Sequence, residues 1–275
     1  MKKQLLFLFL IAVTSLNAQV GINTPTPHVS AELDISSTSK GLLVPRLTTS
    51  AINSLSATAS EGLIVFDTNK KIFLGWDGTK WQIFGNTNNS LVSYANWEVG
   101  GLPGGTNNFG PSPFAGTINQ ITSASLVRGS GLNSTTTGAT GAWGGNGFDY
   151  LTLANAITNG DYATITLSLP STAVYSFVKI AAHNFRRSTT GPTSAQWQYS
   201  IDGTTFINIG TPIALGSTAG AGNNVSEIPL DSYYDLQNIS NITVTFRIVG
   251  YGGTGGTWYI NNTTGNDLDF IGTVE

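Results

Sequence analysis

The sequence predicts an all-β protein: a short N-terminal β-meander module followed by an antiparallel, jelly-roll-like β-sandwich. Three observations carry this reading. Only 10% of residues are charged, against roughly 25% in an ordinary soluble domain, and 33 glycines are joined by abundant Thr, Ser and Asn. Those residue types are mediocre to poor helix formers, so long helices are disfavoured. Apolar and polar residues also alternate with period two through several short runs, each closed by Gly, Asn or Pro. At 275 residues and 40% apolar content the chain can bury sizeable cores. It has no cysteine, which excludes disulfides, thiolate metal sites and a thiol nucleophile.

Residues 1–18 read as a secretory signal peptide. Lys2 and Lys3 precede an apolar run from Leu5 to Val13, and Ala18 offers a small residue for cleavage before Gln19. The run is too short for a spanning helix of about 20 residues. Its removal leaves 10 basic and 15 acidic side chains, net −5. No later stretch is apolar enough to cross a membrane, and no Cys follows the cleavage point to carry a lipid. Export without lipid anchoring is therefore expected, to the extracellular space or outer surface, with the periplasm as the other destination. Clustered Lys and Arg are missing at a pI near 5.3, so nucleic acid is not an expected partner.

Residues 19–85 form the meander module. Gly62–Phe66 reads as a strand, Asp67–Lys70 as a turn and Ile72–Trp76 as the return strand. Asp77-Gly78 then makes a tight turn into Lys80–Phe84, because both central positions tolerate positive φ. Three strands of this size are marginal alone. The module is expected to lean on Leu33, Ile35, Leu42, Leu43 and Val44, or on other copies of itself. Thr48 or Thr49 is placed to cap one short helix ending at Leu55.

Residues 86–93 are a polar linker, and 94–275 carry the sandwich. Alternation is clear over Tyr162–Leu169, Ala195–Ile201 and Ile242–Ile248, with Asp202-Gly203 turning the chain into Phe206–Ile209. Two packed sheets of about eight to ten strands are expected. Strand–helix–strand alternation is missing, which argues against Rossmann and TIM-barrel folds. Residues 100–147 read as a long Gly/Asn/Thr/Ser-rich loop region with few strands, a type of segment that often carries function.

Candidate chemistry is sparse. Histidine-assisted nucleophilic hydrolysis has only His28 and His183 to draw on, and no G-x-S-x-G elbow occurs. A glycosidase needs two facing carboxylates about 5–10 Å apart. Glu98, Asp149, Asp161, Asp202, Glu227, Asp231, Asp235, Asp267 and Asp269 leave such a pair open, although Asp202 is explained by its turn and Asp161 by a strand start. Asp267 and Asp269, two apart on one strand face, are the candidate ligands of a structural Ca²⁺ and also fit an ordinary amphipathic strand. No other cofactor is implied. Trp143, set among glycines, and Trp258, which follows Tyr251 and a glycine run, are candidate stacking platforms for sugar rings, with Arg128 as a hydrogen-bonding neighbour. The competing reading places these aromatics in the core, as the alternation does for Trp197. Arg186 and Arg187 fall on opposite strand faces, and the buried one needs a partner.

Two resemblances add to this. Gly21–Thr24, Ser30–Thr38, Lys40–Arg46, Gly62–Thr68 and Trp76–Trp81 together resemble the N-terminal module of many secreted and surface proteins of Bacteroidetes. That resemblance implies an envelope or extracellular location and trimeric, fibre-like assembly; it implies no catalysis. Leu126–Leu132, Trp143–Phe148, Phe185–Ser188, Trp197–Gly203 and Gly265–Leu268 are more loosely similar to a β-sandwich domain of secreted bacterial proteins that often stands beside surface-sorting tails. No such tail is visible before Glu275, so anchoring by that route is not expected.

The expectation is a secreted or cell-surface, non-enzymatic protein. Its N-terminal module assembles a homotrimer, and its sandwich binds or adheres to a glycan or surface partner through rim loops. The alternatives are a purely structural surface or fibre subunit, and a polysaccharide-degrading enzyme.

Overall fold

The computed structural model describes residues 19–84 and 90–275. The predicted signal peptide with Ala18, and residues 86–89 of the predicted linker, lie outside the described residues; Gln19 is the first within them. The chain forms two compact units, residues 1–45 and 46–275, so the meander shares a unit with the sandwich.

In the first unit, β1 (Val20–Ile22) and β2 (Leu33–Ile35) pair in parallel, Val20 opposite Leu33 and Ile22 opposite Ile35. The Asp34 carboxylate accepts from the His28 N–H at 2.9 Å and holds the connecting loop. Two strands of three residues cannot enclose a core. Leu33, Leu42 and Leu43 are 51%, 64% and 79% exposed, while Ile35 and Val44 are half-buried.

The second unit opens with β3 (Arg46–Leu47), parallel to β4 (Ile64–Asp67), which continues antiparallel to β5 (Ile72–Trp76) and β6 (Trp81–Ile83). The predicted helix spans Thr49–Leu55, and its cap is Thr48, whose hydroxyl accepts from the Ala51 N–H. Asp67 is fully buried and ties turn to helix, accepting from the Asn69 and Lys70 N–H groups and the Thr49 hydroxyl at 2.7–3.0 Å. Ile52, Val65, Leu74, Trp76 and Trp81 close over Tyr234, a residue of the sandwich half. Lys70 reinforces that junction: its ammonium donates to the Tyr234 carbonyl and sits 3.8 Å from the ring centroid.

The sandwich begins with β7 (Val92–Trp97). Residues 100–147, expected to be mostly loop, contain β8 (Gly105–Thr106), β9 (Phe114–Ala115), β10 (Thr117–Ile118), β11 (Ser123–Arg128), β12 (Thr137–Gly138) and most of β13 (Ala142–Phe148). The glycines of β13 mark close backbone approach rather than a loop. A Cβ on Gly144 would lie 1.9 Å from the Trp258 carbonyl oxygen. A capped helix, Leu153–Asn159, then leads to β14 (Tyr162–Leu169), β15 (Tyr175–Ile180), β16 (His183–Arg187), β17 (Ser194–Ser200) and β18 (Ile207–Ala214). The chain ends through β19 (Asn223–Val225), β20 (Ile228–Pro229), β21 (Ile242–Tyr251), β22 (Gly256–Asn261) and β23 (Leu268–Val274).

Strand order gives the jelly roll. One layer contains β13-β22-β16-β19, and the other contains β14-β21-β17-β18. From β13 onward the chain crosses between layers repeatedly, so neighbours within a sheet are distant in sequence, as two interlocked Greek keys require. β11 and β9 widen the second layer beside β14 to six strands. A further sheet, β10-β7-β23-β15-β20, pairs the first sandwich strand with the last.

The inward faces meet in an aromatic seam. Phe246 lies 4.7 Å from Phe270 and 5.3 Å from Phe177 between centroids, Trp197 packs edge-on to Phe270, and Phe185 tilts against Trp258. Each buried aromatic removes about 150–250 Å² from water. Replacing Phe246 with Ala should destabilise the protein by about 3–5 kcal/mol, read as a lower urea midpoint; a change within about 1 kcal/mol would contradict the seam's importance.

Candidate functional site

The aromatics expected to form an open platform are core residues. Trp143 is fully buried, with its indole N–H donating to the Pro111 carbonyl at 2.6 Å, and Trp258 is 2% exposed. Neither offers a face to a ligand. Arg128 does meet Trp143, its guanidinium 4.9 Å from the ring centroid. It spends its donors on the Phe109, Gly110 and Gly144 carbonyls. Burial pulls its pKa down to about 10. Tyr251 ends β21, half-buried, outside this knot. Flanking glycines resemble loop composition, but here they let strands approach closely enough to swallow the indoles.

The predicted calcium ligands are occupied internally. Asp267 precedes β23 and is fully buried, accepting from the Val99 and Thr263 N–H groups at 2.6 and 2.5 Å. Asp269 accepts from the Ser93 hydroxyl at 2.6 Å and the Asn266 amide at 2.8 Å. These contacts stitch β7 to the β23 entry. Among the described residues, no three His, Cys, Asp or Glu side chains gather where they could hold a metal ion.

Other polar candidates serve the fold. His183 is 3% exposed; its Nδ1 meets the Ala181 carbonyl and its Nε2 accepts from the Trp197 indole. Burial pushes it down to about 4 and keeps it neutral. His28 is exposed in the first unit. Arg187 is the buried member of its pair, and its partners are the Leu215, Ser188, Thr189 and Gly191 carbonyls rather than a carboxylate. Asp161 accepts from the Asp149 N–H through one oxygen, and its other oxygen is buried without a partner.

Exposed apolar side chains are frequent toward the N-terminal end of the described residues, in each of the two units separately. In the first unit Val20, Ile22, Val29, Leu33, Leu42 and Leu43 are all exposed. In the second unit the meander has apolar side chains on both faces. Val65, Leu74, Trp76 and Trp81 cover the helix side, while Ile64, Phe66 and Phe73 occupy the other. Phe84 lies against Gly75 on that outer side, where a Cβ would come within 2.8 Å of its ring. Ile64, Phe73 and Phe84 are 42%, 47% and 54% exposed. Phe73 and Phe84 also line a cleft of about 590 Å³ together with Lys71 and Val174. An antiparallel sheet with one solvated face normally alternates apolar with polar. The runs Ile64-Val65-Phe66 and Ile72-Phe73-Leu74 carry the signal of a sheet covered on both sides.

Residues 21–94 match the family model described as a phage tail like trimerisation region. No curated protein and no solved structure matches the chain. The matched stretch contains nearly all of the exposed apolar side chains just described, and it ends at Tyr94 inside β7. Among the described residues, no helix is long and apolar enough to cross a membrane.

The orphaned Asp161 oxygen generates a prediction. Burial pushes this carboxyl up to about 6, so the folded state holds its proton more tightly than the unfolded state, and the associated stability is lost as pH rises from about 4 through 6. His183 titrates in an overlapping window with the opposite sign, so the comparison must be variant against parent. Asp161→Asn should raise the melting temperature at pH 7.5 by roughly 2–4 °C, the shift given by about 1 kcal/mol in a domain of this size. Thermal denaturation should show that gain shrinking toward pH 4.5; a gain independent of pH would contradict it.

Proposed function

We propose that the protein is a secreted, non-enzymatic display subunit in which the N-terminal region gathers three copies and the jelly roll is the displayed head. The observation that carries this is the coincidence of two independent features in residues 21–94: similarity to a trimerisation region, and apolar side chains left uncovered in one copy. Monomeric proteins rarely expose large apolar patches, and those that persist mark interaction surfaces. Three copies in closed symmetry would bury equivalent apolar side chains on each. The resemblance to N-terminal modules of Bacteroidetes secreted and surface proteins supports the same assembly.

The head's role in this reading is recognition of a surface partner or glycan. Its one histidine, His183, and most buried carboxylates are engaged in holding strands and loops, an arrangement that favours binding over bond-making. The resemblance to exported proteins and the reading of residues 1–18 support an extracellular or outer-surface location.

Light scattering coupled to size exclusion tests the assembly. The chain from Gln19 to Glu275 should elute with three times the mass of one copy at tens of micromolar. The double variant Leu42→Asp, Leu43→Asp should weaken association at least tenfold while leaving the melting of the sandwich in place. A monomeric parent protein would overturn the proposal.

A further inference from the structure

Four arginines of the sandwich are buried or half-buried; Arg186 lies over the Tyr259 ring, and two others are fully explained. Arg128 and Arg187 direct their guanidinium groups into nests of three and four backbone carbonyls. Arg247 differs. It is 9% exposed on the outward face of β21, and its Nε donates to the Gln198 side-chain oxygen at 2.6 Å. Gln198 is held in turn by donating to Asn208 Oδ1 at 2.7 Å. The guanidinium carbon lies 3.6 Å from the Phe206 ring centroid and 5.1 Å from that of Tyr162, so it stacks closely on Phe206 with Tyr162 beside it.

Among the described residues, the one ion pair is Lys179–Glu227 at 2.6 Å, and no carboxylate pairs with Arg247. Apart from the Tyr162 phenol beside it, the terminal nitrogens have no acceptor among the described residues. Neither is a buried orphan, so both reach the surface. Burial pulls the pKa of this group below the ordinary arginine value, as expected for a desolvated cation left uncompensated. A guanidinium fixed through Nε, stacked on Phe206 and approached at its Nη nitrogens by the Tyr162 phenol alone is preorganised for a charged oxygen acceptor.

The surroundings define the rest of the ligand. Strand pairing sets Asn208, Gln198, Arg247, Thr164 and Val127 in one row across β18, β17, β21, β14 and β11. The adjacent row is Ser200, Thr245, Thr166 and Ser125. These rows offer hydroxyls and amides, and at their far end the Ser200 hydroxyl is taken up by the Asp202 carboxylate at 2.8 Å. We propose that Arg247 anchors a site for a carboxylate-bearing saccharide, with the uronate carboxyl on its Nη edge and the ring hydroxyls along the Thr164, Thr166 and Thr245 rows. The site does not depend on trimer formation: a monomer would retain it, and a trimer indifferent to uronates would leave the assembly reading intact.

Calorimetric titration of the Gln19–Glu275 chain with galacturonate, glucuronate and mannuronate oligomers tests this. At least one should bind, and methyl-esterification of that oligomer, or its replacement by the neutral sugar, should weaken binding roughly tenfold or more, the loss expected for a charge-assisted pair. Arg247→Lys should cause a similar loss with melting unchanged, since an ammonium cannot present the fork. If that variant fails to fold, the acid-against-ester comparison on the parent protein decides. No binding of any of the three acids at millimolar concentration, equal binding of acid and ester, or a folded Arg247→Lys protein that binds as the parent does would each overturn the proposal.

Discussion

Closure of the two jelly-roll layers over an aromatic seam is the constraint on which the rest of the molecule depends. Phe185, Trp197, Phe246 and Trp258 come from the two layers and Phe177 and Phe270 from the further sheet, in segments far apart in sequence. None can be buried until the long-range strand pairings exist. With no disulfide or clustered metal ligands among the described residues, the energy that holds β7 against β23 and β14 against β21 comes from that seam and the hydrogen-bond ladders it shields.

Scarcity of charge shapes how buried polarity is handled. Where many proteins would neutralise a buried arginine with a carboxylate, Arg128 and Arg187 are held by carbonyl dipoles. Buried carboxylates are likewise held by N–H, hydroxyl and amide donors, as at Asp67 and Asp267. Such pairings lose little to salt screening and fix geometry through several short bonds at once. Against that background Arg247 stands apart, since the Phe206 face and one amide hold it, with the Tyr162 phenol alone at its Nη nitrogens.

Much of the fold was legible in the sequence because period-two alternation maps directly onto strands with one face buried. Tyr162–Leu169 and Ile242–Ile248 lie within observed strands, and the helix from Thr49 to Leu55 was marked by its cap. Residues 100–147 were misread because glycine has two opposite uses. Gly144 is required by the nearby Trp258 backbone, and no composition rule distinguishes that from a loop. The same ambiguity placed Trp143 and Trp258 at a rim when they belong inside. The Arg247 cluster was illegible for another reason: Tyr162, Gln198, Phe206 and Arg247 come from four separate segments, and only cross-strand register brings them together. The apolar outer face of the meander was visible in its unbroken apolar triplets.

Tyr234 joins what sequence texture presents as two modules. Its ring completes the core beneath Trp76 and Trp81, and Lys70 grips it from the turn between β4 and β5. The meander therefore has no finished interior of its own. Cutting the chain near residue 85 would leave one fragment with a hole and the other with a stranded tyrosine. Each portion therefore lends stability to the other through Tyr234. Torque applied to the meander is transmitted to the sandwich through a packed joint rather than absorbed by a swivel.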